Sequence, residues 1–263
     1  MTEPQPVPCA SACSDAGPVR RSNEDTFLIE PELRLFAVAD GMGGHAAGEV
    51  ASQLAVESIA SFIRRARDDA DVSWPYGVEP KLSYQANLLR TAINLANRRV
   101  FRAAETHDDY TGMGSTLVAL LFGSSAVVVG HIGDSRAYLC RGDRVTQLTK
   151  DDTWAVAMLA DERDGDPASL SAHPMKHVLT NVLGSKEHTD CHIAEHVVAP
   201  GDRLLLCSDG LHGVLSAEDL HGVLAAVPPD ATEEASRRLV SAALERGTRD
   251  NVTALVVCVG DGR

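Results

Sequence analysis

Several apolar runs of this chain end at acidic residues that stand beside glycine, serine or asparagine. An aspartate placed where a buried strand meets a glycine turn can direct its carboxylate from a rigid base into a cleft. Mg²⁺ and Mn²⁺ prefer oxygen ligands of this kind, with near-octahedral geometry and several retained waters. Four segments at predicted strand ends carry such acids: Asn23-Glu24-Asp25, Asp40-Gly41, Gly133-Asp134 and Ser208-Asp209-Gly210. A fifth, Asp250-Asn251, immediately precedes the last predicted strand. We therefore expect a divalent-metal site built from segments that are distant in sequence.

Each acidic segment also has a purely structural interpretation. Asp-Gly is among the commonest turn dipeptides. Asp134-Ser135 fits an Asx turn, and Asp250-Asn251 fits a turn that enters a strand. The metal hypothesis depends on the joint occurrence of these segments at the ends of apolar runs, because no single one of them is specific.

The elements that would position these acids alternate between strand and helix. The apolar run 33–39 predicts a buried strand that ends at Asp40. Residues 127–130 are apolar without alternation, which predicts burial on both faces. The predicted helices cover 46–66, 82–100, 217–226 and 233–246. The other predicted strands cover 116–122, 126–132, 137–140, 203–207 and 253–259, and polar loops are predicted over 68–80 and 161–174. One α/β domain accounts for this pattern.

Composition and charge narrow the class of function. The 263 residues carry a formal net charge of −13 and are 44% hydrophobic, which is ordinary for a globular protein. Without a basic stripe, this acidic balance argues against a nucleic acid or an anionic membrane as the partner. Residues 1–8 lack the apolar core of a signal peptide, and no apolar run is long enough to cross a bilayer. We therefore expect a cytoplasmic protein.

The six cysteines are scattered and show no C-x-x-C spacing. Cys140, Cys207 and Cys258 lie in apolar runs, where a thiol packs as a small hydrophobic group. This pattern predicts a reducing compartment, with neither a disulfide framework nor a zinc site.

Short motifs surround the acidic segments in a fixed order along the chain. They are VRRSNED at 19–25, VADGMGGHAAGEVAS at 38–52, MGSTLV at 113–118, HIGDSRAY at 131–138, LTKDD at 148–152, HP at 173–174, LT at 179–180, LG at 183–184, PGD at 200–202, SDGL at 208–211 and DNVT at 250–253. In this order they resemble the metal-dependent serine/threonine protein phosphatases of the 2C type (the PPM family), especially the compact bacterial members. The resemblance runs from about residue 14 to 259. An accidental match of so many motifs in this order is not a serious alternative.

The resemblance implies a set of metal ligands. Asp40 matches the aspartate that bridges two metals, and Gly41 matches the glycine that contributes its carbonyl oxygen. Asp209 and Asp250 match the acids that complete the shell of one metal, and Asp134 matches the acid that takes a third metal together with Asp209. The implied cofactors are Mn²⁺ or Mg²⁺, two or three per chain.

The resemblance also implies residues that act around the metals. Arg20 matches the arginine that binds the substrate phosphate, and its spacing from Asp25 favours it over Arg21. Glu24 and Asp25 match acids that hold metal-bound waters, and Asn251 is expected beside them, outside the direct ligands. The implied reaction is in-line hydrolysis by a metal-activated bridging water, without a phosphoenzyme. No cysteine lies in a C-x₅-R loop, which argues against a covalent cysteine phosphatase.

The fold implied by the resemblance is α+β: a four-layer α-β-β-α sandwich of two antiparallel β-sheets flanked by helices, with the metal cleft at one end. We expect a flexible N-terminal tail over 1–13 and a single catalytic domain over 14–260. The implied substrates are phosphoserine and phosphothreonine proteins, with a cognate Ser/Thr kinase or its substrates as partners. We expect a monomer that binds neither nucleic acid nor membrane.

Four features depart from the family pattern. Met42 stands where many eukaryotic relatives have a histidine that protonates the leaving alkoxide, although bacterial relatives share the methionine. Since methionine cannot donate a proton, a metal-bound water or another group must do so. Gly213 stands where some relatives have a further acid for the third metal, and Asp152 stands where relatives often have histidine. Residues 161–174 match least, in a region that influences substrate choice in this family.

Two alternatives belong to other classes of function. A pseudophosphatase would keep the fold and bind a ligand without turnover, but Asp40, Asp209 and Asp250 are all present. A nuclease could also use two metals, but the acidic balance disfavours it.

Overall fold

The computed structural model describes residues 8–44, 46–69, 73–123, 126–161 and 173–260. Its strands are β1 (Cys9–Asp15), β2 (Asp25–Glu30), β3 (Leu35–Met42), β4 (Gly114–Ser115), β5 (Leu117–Phe122), β6 (Ala126–Ile132), β7 (Arg136–Arg141), β8 (Arg144–Gln147), β9 (His192–Val197), β10 (Arg203–Cys207) and β11 (Val252–Cys258). Its α-helices are α1 (Ala47–Asp68), α2 (Tyr84–Thr106), α3 (Trp154–Asp161), α4 (Asp209–His212), α5 (Ala217–Ala225) and α6 (Thr232–Glu245).

The strands form two antiparallel sheets. The first has the order β1-β11-β10-β7-β8, and the second has the order β2-β3-β5-β6-β9, with β4 paired to the end of β3. Helices α1 and α2 pack on the outer face of the second sheet, and α5 and α6 pack on the outer face of the first. The predicted four-layer sandwich is confirmed.

Apolar side chains between the two sheets form the central layer of the core. Phe36, Leu120 and Val129 of the second sheet pack in one cluster with Leu204 and Leu255 of the first. The outer faces of the same strands are covered by helices, so β5 and β11 are buried at every residue. Burial on both faces explains why these strands are apolar without alternation, and the prediction for 127–130 is confirmed.

The two long helices follow their predicted positions with shifted ends. In α1, Ala51, Ala55, Ile59 and Phe62 are buried on one face, and the helix continues past the predicted end to Asp68. Helix α2 begins later than predicted, because the Ser83 hydroxyl caps it by accepting a hydrogen bond from Ala86 N at 3.1 Å.

The prediction of a flexible tail through residue 13 is wrong for residues 9–13, which belong to β1. This strand pairs along its whole length with β11, from Cys9 opposite Cys258 to Asp15 opposite Val252. Its small and polar residues give a weak hydrophobic signal, and backbone pairing at the sheet edge holds it in place. Strands β2, β8 and β9 and helix α3 were also not predicted.

The predicted loops fall partly outside the described residues. Asp161 ends α3, residues 162–172 lie outside the described ranges, and so most of the predicted loop 161–174 is not covered. Within the described ranges, no helix combines the length and the hydrophobicity that crossing a membrane requires.

Candidate metal centre

Strand register brings the predicted acids to one edge of the sandwich. Asp25 lies directly opposite Asp40 in the β2–β3 pair. Strand β10 runs antiparallel to β11, so Asp209, just after β10, meets Asp250, which stands before β11. Asp134 follows the end of β6.

These strand ends open into a cleft of about 440 Å³. Its lining residues are Arg20, Glu24, Asp40, Gly41, Met42, Gly43, Thr116, Asp134, His177, Val178, Leu179, Asp209, Asp250 and Asn251. Apart from Asp25, which is buried behind the cleft wall, all the predicted site residues therefore share one cavity.

The backbone of Asp40 is held from the neighbouring strand while its carboxylate faces the cleft. Asp40 N donates to Thr116 Oγ1 at 3.0 Å, and Asp40 O accepts from Thr116 N at 2.8 Å and from Ser115 Oγ at 3.1 Å. Burial, followed by the nearby Asp25 carboxylate, raises the pKa of Asp40 well above its ordinary value. The position is therefore rigid and favours the arrival of a cation.

Asp25 is buried among hydroxyl groups. Its Oδ2 accepts from Ser208 Oγ and from Thr253 Oγ1, each at 2.6 Å. Its Oδ1 is buried and has no hydrogen-bond partner in the described ranges. Burial raises the pKa of Asp25 to about 7, despite the two hydroxyl donors. One oxygen is thus fixed by the first sheet, and the other is left for a donor or cation from the cleft.

Asp209 and Asp250 differ in their partners. Asp209 Oδ1 is buried without a hydrogen-bond partner, and burial together with Asp250 raises the pKa of Asp209. Asp250 Oδ2 accepts from Arg20 Nη2 at 2.6 Å, and its Oδ1 accepts from Asn251 N at 2.9 Å. The predicted phosphate-binding arginine therefore lies against a predicted metal ligand.

Asn251 fixes the loop that carries Arg20 and Glu24. Its Nδ2 donates to Ala16 O and Ser22 O, each at 2.9 Å, and its Oδ1 accepts from Glu24 N at 2.9 Å. All three partners are backbone atoms of one loop, so the side chain sets the position of that loop relative to β11. Its role in this structure is to position the loop.

Close packing requires a glycine at position 41, in addition to any role of its carbonyl oxygen. Gly41 N donates to Glu24 O at 3.1 Å, and a Cβ at this position would lie 1.9 Å from the carbonyl oxygen of Gly48 in α1. Gly48 is constrained in turn, since its own Cβ would lie 2.5 Å from Glu24 Oε1. Two glycines thus allow α1 to approach the cleft closely.

Asp134 lines the cleft and is supported by a residue that the sequence did not indicate. Burial, followed by Asp209, raises the pKa of Asp134 to about 7. The carbonyl oxygen of Asp134 lies 3.0 Å from Nε2 of His212, and burial lowers the pKa of His212 to about 4, so this histidine is neutral. Only the spatial contact reveals His212, because no motif spacing links it to Asp134.

Asp152 joins three parts of the chain beside this turn. Its carboxylate accepts from Gly133 N at 3.1 Å and from Asn181 Nδ2 at 3.0 Å, and it lies 2.8 Å from His192 Nε2. The aspartate thus has a structural role at a position where relatives often carry histidine. His177 lines the cleft and was likewise not predicted.

The residues in the cleft fit divalent cations. Within the part of the chain that the structure describes, the buried oxygens Asp25 Oδ1 and Asp209 Oδ1 have no hydrogen-bond partner. Burial, and then the charges of neighbouring carboxylates, raise the pKa of Asp40 and of Asp209, and bound cations would offset both effects. Among the described residues, no three His, Cys, Asp or Glu side chains are close enough to hold one ion by themselves. Mg²⁺ and similar ions are usually held by one or two carboxylates and several waters, which this arrangement suits.

Known proteins resemble the chain over most of its length. The family profile described as Protein phosphatase 2C matches residues 19–255. The serine/threonine protein phosphatase PstP of Mycobacterium tuberculosis is 40% identical over 251 residues, which cover 95% of this chain and 45% of PstP. This chain therefore spans a little under half the length of that relative. The serine/threonine phosphatase stp of Listeria innocua is 31% identical over 250 residues, with 93% of each protein covered.

A solved structure of a relative has the same fold and contains a metal. The catalytic domain of PstP in complex with two manganese ions matches with a TM-score of 0.78 and 36% identity, covering 97% of this chain and 99% of that one. The profile match and the match to stp each cover most of the chain, including the segments that line the cleft. The chain belongs to the protein phosphatase 2C family of metal-dependent serine/threonine phosphatases.

Proposed function

We propose that this chain hydrolyses phosphoserine and phosphothreonine in proteins and needs divalent cations to do so. The observation that carries the proposal is a cleft lined by four aspartates and an arginine, in which the buried Asp209 Oδ1 has no hydrogen-bond partner among the described residues. Such a cleft repels an anionic substrate until cations are bound, and then attracts it. The activities named for PstP and stp support the same reaction.

In this proposal Asp40, the Gly41 carbonyl, Asp209 and Asp250 hold two Mn²⁺ or Mg²⁺ ions, and Asp134 shares a third with Asp209. When bound, such ions lower the pKa of water towards neutrality and offset the charge of the phosphate. The two manganese ions of the PstP catalytic domain support this number for a relative. Both metals suit the same oxygen ligands.

Arg20 would orient the phosphate. Its guanidinium is about half exposed at the cleft and donates through Nη2 to Asp250. A guanidinium has further donors that can bind two oxygens of a phosphate in a planar fork. Because charge grows on those oxygens in the transition state, the contact would accelerate the reaction as well as bind substrate.

The buried hydroxyl groups and Asn251 would keep the cleft in one shape. The hydroxyls of Ser208 and Thr253 donate to the Asp25 carboxylate and hold it in place. The Asn251 side chain holds the loop of Arg20 and Glu24. In this proposal Glu24, which lines the cleft, and Asp25, which is buried behind its wall, bind waters of the metal shells. These contacts exist before substrate binds, which reduces the reorganisation needed during the reaction.

The proton for the leaving alkoxide does not come from Met42. That side chain lines the cleft and is 42% exposed, but a thioether has no ionisable hydrogen. Water in the cleft supplies the proton in this proposal. No cysteine lines the described part of the cleft, in keeping with direct hydrolysis.

The proposal extends to the setting in which the chain acts. Its substrates would be proteins phosphorylated by a Ser/Thr kinase, and it would act in the cytoplasm as a monomer. The net charge of −13 disfavours nucleic acid as a substrate and anionic membranes as a binding surface.

The test compares wild type with Asp209→Ala in hydrolysis of p-nitrophenyl phosphate and of a phosphothreonine peptide, with Mn²⁺, Mg²⁺ or EDTA. Asp143→Ala, on the exposed turn between β7 and β8, is the matched control. We expect metal-dependent turnover that EDTA and Asp209→Ala abolish and that Asp143→Ala retains. A folded wild type that binds metal but turns over neither substrate would instead indicate a pseudophosphatase.

A further inference from the structure

Two cysteines face each other at the end of the first sheet away from the metal cleft. Cys9, the first residue of β1, lies directly opposite Cys258, the last residue of β11. All six cysteines fall within the described residues. The other strand cysteines face different residues: Cys13 and Cys207 both lie opposite Ala254, and Cys140 lies opposite Arg203 and Val145.

The spacing of this pair suits a disulfide. Directly opposed residues of an antiparallel pair have Cα atoms about 4.5 or 5.5 Å apart, depending on the hydrogen-bonding position. Both values fall within the range of about 4.4 to 6.8 Å seen across disulfides. Opposed residues also direct their side chains to the same face of the sheet. The register therefore places Cys9 and Cys258 at a backbone separation that a disulfide can span.

The two thiols differ in access. Cys9 is exposed, whereas Cys258 is 5% exposed. Burial, followed by the adjacent Cys9 thiol, raises the pKa of Cys258 to about 11. An oxidant in solution therefore reaches Cys9 first, and Cys258 is held beside it as the thiol that completes the bond.

We propose that Cys9 and Cys258 form a reversible disulfide when the protein meets a peroxide. The Cys9 sulfur attacks one oxygen of hydrogen peroxide, so that the O–O bond breaks, Cys9 becomes a sulfenic acid and one water leaves. The Cys258 sulfur then attacks the Cys9 sulfur and displaces the hydroxyl as a second water. Two thiols lose two electrons in total, and the peroxide is reduced to two waters.

The bond would fasten the strand pair whose opposite end carries the catalytic loop. At that end Asp15 pairs with Val252, and the neighbouring Asn251 donates to Ala16 O at 2.9 Å. Arg20 follows β1 and Asp250 precedes β11. Since the bond lies away from the cleft, it stabilises β1 against unpairing and leaves the chemistry intact.

The first test is intact mass after hydrogen peroxide, for wild type, Cys9→Ser, Cys258→Ser and the matched control Cys13→Ser. We expect wild type and Cys13→Ser to become about 2 Da lighter and to regain the mass with dithiothreitol. The other two variants should show no such loss. Trypsin leaves Cys9 and Cys13 in one peptide, 1–20, and Cys258 in peptide 250–263, so Cys13→Ser also identifies the linked residue.

The second test is thermal unfolding of the oxidised and reduced proteins. We expect the bond to raise Tm by about 5 °C in wild type and Cys13→Ser, and to have no effect in Cys9→Ser. Turnover of p-nitrophenyl phosphate per folded molecule should not change. A mass loss that persists in Cys9→Ser, a covalent dimer in place of the internal bond, or an internal bond that leaves Tm unchanged would overturn the proposal.

Discussion

The two ends of β10 carry aspartates in opposite circumstances. Asp202, just before the strand, is 3% exposed and accepts from Arg141 through both oxygens, at 2.8 Å from Nε and 2.6 Å from Nη2. Asp209, just after the strand, has a buried Oδ1 without a hydrogen-bond partner and has Asp250 as a charged neighbour. A buried charge is stable only when it is paired. The charge of Asp202 is therefore paired within the chain, whereas the charge of Asp209 needs a cation from solution.

The same difference separates Asp151 from Asp25. Asp151 accepts from Arg136 Nε at 3.0 Å and from Arg136 Nη2 at 2.7 Å. Asp25 is more deeply buried, yet the side-chain partners of its carboxylate among the described residues are two hydroxyls, those of Ser208 and Thr253. The nature of the partner, and not the depth of burial, distinguishes a structural carboxylate from one prepared for a metal.

The largest effect is expected from Asp40→Asn. Removing the charge that would bridge two cations should lower kcat/KM by about 10³-fold or more, because the transition-state charge is no longer offset. The metal-free variant should unfold at the same temperature as wild type or higher, since a buried repulsive charge has gone. Steady-state kinetics with Mn²⁺ and thermal unfolding in EDTA measure the two quantities. A clear drop in Tm in EDTA would place Asp40 with the structural carboxylates instead.

Arg20→Ala should have the next largest effect. Loss of the guanidinium should reduce kcat/KM for a phosphothreonine peptide by about 10²-fold, and Arg20→Lys should recover only part of it, because an ammonium cannot form the planar fork. The matched control is Arg21→Ala, whose exposed side chain does not line the described cleft. Equal losses in Arg20→Ala and Arg21→Ala would remove the assignment to Arg20.

Asp202→Ala should show the reverse pattern of Asp40→Asn. The substitution removes the acceptor of Arg141 and of Ala199 N, which donates to Oδ2 at 2.7 Å. We expect Tm to fall by about 5 to 10 °C and kcat/KM to remain within about twofold of wild type, because distant sites act independently. Reduced turnover at full folding would show that the two ends of β10 are coupled.

The sequence predicted the strands that lead to the candidate site better than the edge strands of the fold. Strand β10 has its predicted bounds, and β3 reaches Asp40, because a buried strand followed by Asp-Gly leaves both a hydrophobic and a turn signal. Strand β9 contains His192, Glu195 and His196 and is exposed at four of its six residues, so it has no comparable signal. Edge strands are held by backbone pairing, which side-chain patterns record poorly.

Contacts between distant segments account for the roles that the sequence did not reveal. Asp152, His212 and Asn251 act through partners 19 to 235 residues away, and no local motif encodes those distances. The sequence suggested that Gly41 exposes its carbonyl, whereas the structure adds a close contact with Gly48 that any side chain would block. Packing between α1 and β3 becomes visible only when both elements are in place.

The smallest effect is expected in the pH dependence of the stability of the metal-free protein. It is also the finest test of the contrast between paired and unpaired acids. The folded protein keeps a proton on Asp25 until about pH 7, whereas the unfolded chain loses it near the ordinary value of 3.8. Between these values the unfolded state binds fewer protons, so the stability contributed by this site falls as pH rises and levels off above about pH 7. Asp134, also with a pKa raised to about 7, acts in the same direction.

In EDTA we therefore expect Tm to be about 5 °C lower at about pH 7.5 than at about pH 5.5, and saturating Mn²⁺ to reduce this difference. Asp25→Asn should flatten the metal-free slope, because the amide oxygen can still accept from Ser208 and Thr253 but carries no charge. Asp202→Ala is the matched control and should keep the slope, since its carboxylate is already paired with Arg141. The opposite result is a pH dependence of Tm that persists in Asp25→Asn and disappears in Asp202→Ala. It would show that the charge linked to proton binding is that of Asp202, beside Arg141, and would reverse the assignment of the two aspartates.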